Sequence, residues 1–232
     1  MADPAGEAFD AGRFLEAADL AREEGGADNL ARAARALLAD GIASGSPSPE
    51  RLDEAEGLAR QALALDPGHI EARLQLAITL SLKSREMSTR EALDTGYGKQ
   101  SKALAQSVIE DDPDNAYAHG FLAVWNVEVV RRGGSMGAAI MGASLRQARE
   151  HYEAAVRTSN GDPSVHWQYA RALAALNAGK YRGEIEACLA RAVQAEPGTA
   201  LAELMQSRAK SFQTYVASHS RRDIEAIAAT LL

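Results

Sequence analysis

Four acidic-proline pairs punctuate the sequence and constrain it more than any other feature: Asp66-Pro67, Asp112-Pro113, Asp162-Pro163 and Glu196-Pro197. Proline has no backbone donor and forces the residue before it into extended geometry, so a helix arriving at such a pair ends there. Ahead of each stop runs a set of small or apolar residues spaced i, i+4, i+7. The sets are Ala55, Ala59 and Ala62; Ser101, Ala105 and Val108; Ala148, Tyr152 and Ala155; and Ile185, Leu189 and Ala192. This spacing draws one stripe along a helix. Behind the first three stops comes a second stripe: Leu76, Ala77 and Leu80; Leu122, Ala123 and Asn126; Tyr169, Ala170 and Leu173. Stripe, stop, stripe is the pattern of paired helices that pack through narrow faces.

Composition agrees. The chain has 232 residues, 46% of them hydrophobic but only 5% aromatic. Alanine favours helix and lets helix axes approach closely. An all-α fold is expected. A net charge of −7, from 32 acidic and 25 basic residues, argues against nucleic-acid binding, which calls for a basic face. Cys188 is the sole cysteine, so no intrachain disulfide forms and a reducing compartment is the default. The N-terminal residues show no signal-peptide pattern, and no run is long and apolar enough for membrane insertion. A cytoplasmic location is the expectation.

The proline intervals are 46, 50 and 34 residues. The last equals the tetratricopeptide period. With the paired stripes, the chain resembles the tetratricopeptide repeat superfamily, in degenerate form. Asn126 stands where an aromatic residue is usual, and Ser101 and Val108 replace alanines. The resemblance implies a right-handed α-solenoid of about four antiparallel helix pairs, forming a single domain over 1–232. Residues 5–24 would form an N-terminal cap helix, in which Gly12-Arg13-Phe14 with Ala17 and Ala21 resembles the start of the second helix of a pair. Residues 28–67, 69–113, 115–163 and 164–197 would be the repeats, and 199–232 C-terminal capping helices. Within these, helices are expected near 28–43, 69–83, 97–111, 115–131, 145–158, 164–178, 181–195, 199–216 and 221–232. The tail Ile224, Ile227, Ala228 and Leu231 either caps the stack or meets a partner.

Two insertions lengthen the turns between paired helices, 84–95 and 132–145. In a stack, both are expected to emerge side by side on one edge. Ser88 and Thr89 precede helix formers, which predicts in the first a short extra turn or an N-terminal extension of the following helix. The second is rich in Gly, Ala and Met. Residues 136–144 are expected to be helical, either as a contact surface or packed internally. Met136, Ile140 and Met141, with Arg131 and Arg132, are its candidate contacts.

The superfamily mostly binds proteins through the concave surface of the stack. Residues expected to line that groove are Gln75, Ile78, Phe121, Val124, Trp125, Trp167, Gln168 and Arg171. They make it apolar and aromatic, suited to a peptide or amphipathic helix. Either tryptophan could equally belong to the core. The function expected is a non-enzymatic adaptor or scaffold for a protein or peptide. The alternative is a small-ligand domain, for an anion or lipid, closed by 132–145. Gly137 to Ser144 has the glycine spacing of a phosphate loop, but Ala143 occupies the lysine position and no strand precedes it. Arg131, Arg132 and Arg146 nevertheless flank it. His119, His151 and His166 lack metal-ligand spacing, and His119 and His166 fit packing roles. Cys188 reads as a small buried hydrophobe. Asp111, Asp112 and Asp114 lack the alternation of a calcium loop. No catalytic set, cofactor or metal is expected. Solenoid ends self-associate, so a homodimer through the C-terminal helices is one assembly the sequence allows.

Overall fold

The computed structural model describes residues 3–232 as thirteen α-helices with no strand among the described residues. None of these helices is long and apolar enough to cross a membrane. The chain divides into two compact units: residues up to Pro113 with Thr199–Leu201, and Asp114–Gly198 with Ala202–Leu232.

The first unit holds α1 (Pro4–Asp10), α2 (Phe14–Glu24), α3 (Gly26–Ala43), α4 (Pro49–Leu65), α5 (Ile70–Arg85), α6 (Thr89–Asp94) and α7 (Tyr97–Asp111). The single helix expected over 5–24 is two. α1 starts on an Asp3 cap, whose carboxylate accepts from the Gly6 amide at 2.9 Å, and ends before Gly12. The stops behave as proline chemistry dictates. Asp66 and Asp112, each preceding proline, turn away from helical geometry at φ −139° and −134° and close α4 and α7. Contacts run serially: α1 on α2, α2 on α3, α3 on α4 and α5, α4 on α5, and α5 on α7. Ala17, Ala21, Ala34, Ala55 and Ala59 join Leu37, Leu52 and Leu80 in one core cluster. A buried methyl contributes only about 1 kcal/mol. Its larger effect is to let backbones come close enough for the leucines to interdigitate.

The second unit holds α8 (Ala116–Met141), α9 (Leu145–Thr158), α10 (Pro163–Asn177), α11 (Arg182–Gln194), most of α12 (Ala200–Ser218) and α13 (Arg221–Thr230). Here Pro163 opens α10 at its first helical position, where a missing donor costs nothing, and the Asp162 side chain caps it by accepting from the Ser164 amide at 2.7 Å. α10 is central, packing against α8, α9, α11 and α13. All twelve residues of the four stripes ahead of the stops are buried, and so are all nine behind them. Asn126 among them is a polar residue with both ends of its amide satisfied, which bears on the site below.

Candidate functional site

The feature that sets the second unit apart is the glycine-bounded end of α8. Arg131 and Arg132 lead into Gly133-Gly134, and Gly134 adopts φ +58°, ψ −158°. Only glycine enters that region readily. The helix therefore breaks, and its last segment, 135–141, takes a new direction. Gly142, left-handed at φ +61°, ends that segment. The Ala143 amide donates to the Ala138 carbonyl at 2.8 Å and the Gly142 amide to Ala139 at 3.3 Å. Ala138 and Ala143 pack in one cluster. This is a Schellman ending with its accompanying apolar contact. Residues 142–144, expected to continue the helix, instead form this stop and the Ser144 cap of α9, whose hydroxyl accepts from the Gln147 amide at 3.2 Å.

The segment packs on one side and faces water on the other. Ala138 and Ala143 lie over Trp125, with Phe121, Val129, Val130 and Met141 around them. Asn126 clasps the return. Its Nδ2 donates to the Leu122 carbonyl at 2.8 Å, and its Oδ1 accepts from the Ser144 amide at 2.9 Å. Met136 and Ile140, one turn apart, point outward with 76% and 60% of their surface exposed. Two exposed large apolar side chains thus sit on a short, internally supported helix.

The arginines flanking the segment are engaged within the chain. Arg131 pairs with Glu128 at 2.8 Å and Arg146 with Glu150 at 2.6 Å. Arg132 is half-buried. The first insertion forms α6, capped as expected: the Ser88 hydroxyl accepts from the Glu91 amide at 3.3 Å, and the Ser88 amide donates back to the Glu91 carboxylate at 2.9 Å. Leu93 is exposed on it.

The residues expected along a groove separate by unit. Gln75 and Ile78 lie on α5 in the first unit, where Gln75 is buried with its amide on Glu71 and Ile78 packs against the core. The other six lie in the second. Phe121, Val124 and Gln168 are half-buried. Trp125 is buried beneath Ala138 and Ala143. Trp167 has no exposed surface; it meets Phe212 edge-on at 5.6 Å and donates through Nε1 to the Leu232 carbonyl at 3.3 Å. Arg171 is buried between Glu128 at 3.2 Å and the Ala228 carbonyl at 3.4 Å. Both tryptophans are thus core residues here: the folded-back segment roofs one, and Phe212 of α12 with the Leu232 backbone meets the other.

Sequence reasoning missed a polar cluster at the junction of α9, α10 and α11. Tyr152 and Tyr169 stack at 4.2 Å. The Tyr152 hydroxyl and His166 Nδ1 share a hydrogen bond of 2.7 Å. The Tyr169 hydroxyl donates to Glu184 at 3.1 Å, and Arg149 grips the same carboxylate through two nitrogens at 3.1 and 3.2 Å. Burial, reinforced by the nearby Arg191 charge, pushes His166 below its ordinary range. Burial raises both tyrosines and pushes the Cys188 thiol up to about 11. A thiol held there is protonated at neutral pH and is no nucleophile. The one legible signal was that Tyr152 occupies a stripe position otherwise held by Ala59, Ala105 and Leu189, none of which carries a polar group, so its hydroxyl requires a partner. Elsewhere, His119 on α8 and His151 on α9 approach through Nδ1 at 2.9 Å. Among the described residues no group of three or more His, Cys, Asp or Glu could hold a metal ion.

No protein-family model matches this sequence, and no curated protein matches it.

Proposed function

We propose that the chain is a non-enzymatic, tetratricopeptide-like adaptor that binds a protein partner. Its helix pairs would stack serially as a right-handed solenoid. The order of contacts within each unit supports this, since successive pairs touch their neighbours: α3 with α4 and α5 in one, α8 with α9 and α10 in the other. The titratable groups at the α9–α10–α11 junction pair with one another, the tyrosines and His166 buried and Arg149 with Glu184 toward the surface, which favours recognition over catalysis.

The observation that carries the reading is the outward pair Met136 and Ile140 on the glycine-bounded segment of α8. The segment is ordered before any partner arrives, so binding spends little on ordering it. Methionine suits such a surface because its unbranched chain adapts to an apolar partner. The test is affinity capture from native cells with the wild-type chain and the double variant Met136→Ser/Ile140→Ser. Proteins retained by the wild type are expected to be lost from the variant, whose thermal stability stays within about 0.5 kcal/mol because both side chains are exposed. An unchanged set of captured proteins refutes the reading.

A further inference from the structure

The contact of α13 with α10 has the form of a ligand in its site. α13 is ten residues long and follows α12 after only His219 and Ser220. It presents Ile224 and Ala228 at i and i+4, both buried in the second unit; the chain turns extended at Leu231, and Leu232 beyond it is buried too. The remaining contacts address backbone at its C-terminal end and one side chain, Glu225, on its body. Arg171 donates to the Ala228 carbonyl, Trp167 and Arg208 donate to the Leu232 carbonyl at 3.3 and 2.8 Å, and the Ala178 amide donates to Glu225 at 3.0 Å. Three donors thus converge on the C-terminal end of a helix, where carbonyls lack intrahelical partners.

We propose that the face of α10 bearing Trp167 and Arg171 is a helix-binding site, and that α13 is the chain's own displaceable occupant of it. The partner that replaces α13 is a short amphipathic helix with apolar residues at i and i+4 and an apolar residue just past its end, its last carbonyls received by Arg171, Trp167 and Arg208. Release is feasible for two reasons. Arg171 keeps Glu128 and Gln168 when α13 leaves, so no bare charge is stranded. A ten-residue helix is too short to persist alone in water, so freed α13 unwinds and does not compete as a preformed helix. The site is separate from the Met136 surface and stands or falls independently of it.

The test uses the full chain and a fluorescent peptide of residues 219–232. Ile224→Asp disables docking of the chain's own α13 while leaving α10 intact. This variant is expected to bind the peptide at least tenfold more tightly than wild type in an anisotropy titration, and adding Arg171→Leu removes the gain. In the wild type, amides of 221–230 are expected to exchange with solvent faster than those of α10 and α11. A helical Ile224→Asp chain that ignores the peptide, or peptide binding indifferent to Arg171→Leu, overturns the proposal. If Ile224→Asp fails to fold, the exchange experiment decides alone: protection of α13 equal to that of α10 and α11 makes it a permanent core helix and refutes the latch.

Discussion

Gly133 and Gly134 are adjacent, chemically identical, and predicted to respond oppositely to the same methyl. At Gly134 an added Cβ meets nothing within 4 Å, so the penalty is purely one of backbone conformation at φ +58°, ψ −158°. Holding a non-glycine residue there costs on the order of 1–3 kcal/mol. At Gly133 the nearest atom to an added Cβ is the Ala138 nitrogen at 3.8 Å, an ordinary contact, and the backbone is not left-handed. Gly133→Ala therefore gains helix propensity and is expected to be neutral or stabilising by up to about 1 kcal/mol. If the strain at Gly134→Ala is relieved by straightening α8, segment 135–141 leaves Trp125. That uncovers an indole now buried by Ala138 and Ala143. Urea unfolding followed by circular dichroism gives the stability difference. Acrylamide quenching, measured in a Trp167→Phe background, reports the exposure of Trp125 alone. Equal stabilities for the two alanine variants, or a Gly134→Ala chain with both unchanged stability and unchanged quenching, refutes the account of the break.

Asn126→Leu keeps the volume of the clasp but removes its acceptor, and the stranded Ser144 amide should cost about 1–3 kcal/mol, with faster hydrogen exchange at residues 144–147 as the local signature. Stability near wild type with Ser144 still protected would contradict this. Burial, and then the Arg191 charge, hold His166 below its ordinary value of 6.5. The unfolded chain consequently binds more protons as pH falls through that range, and stability present above pH 6.5 declines below it. Urea unfolding from pH 7.5 to 5.5 should show a shallower loss for His166→Gln than for wild type; identical slopes would dismiss the linkage. Ser88→Ala removes the capping box of α6 and should melt that exposed turn, at about 0.5–2 kcal/mol locally, without shifting the global midpoint. A cooperative drop in the global midpoint would show α6 to be part of the core.

How much could be read in advance depended on the range of the physics involved. Stripes such as Ala55, Ala59 and Ala62 follow from helical periodicity, and every one of the twenty-one stripe residues is buried. Proline fixes the ends of α4 and α7 through a clash with the residue before it, so the boundary over Tyr97–Asp111 matches expectation to the residue. The helix expected across 5–24 is two, because the spacing of Phe14, Ala17 and Ala21 carries a periodic signature and the break before Gly12 is a local event that carries none. The site was legible in composition and not in geometry. Met136 and Ile140 were marked by apolarity in a glycine-rich stretch. Which of Gly133 and Gly134 turns the chain depends on how 135–141 settles on Trp125. Trp167 and Arg171 show the limit most clearly: their partners Phe212, Ala228 and Leu232 lie more than forty residues away, and no local pattern encodes those contacts.

The lone cysteine has a practical corollary. Cys188 lies shielded in the interior with its sulfur held in the unreactive form. The native chain thus comes with a silent background for thiol chemistry. A cysteine placed at an exposed position such as Met136 would be the single handle a maleimide dye or spin label finds, so distances and encounters at that surface can be followed without first removing anything from the protein.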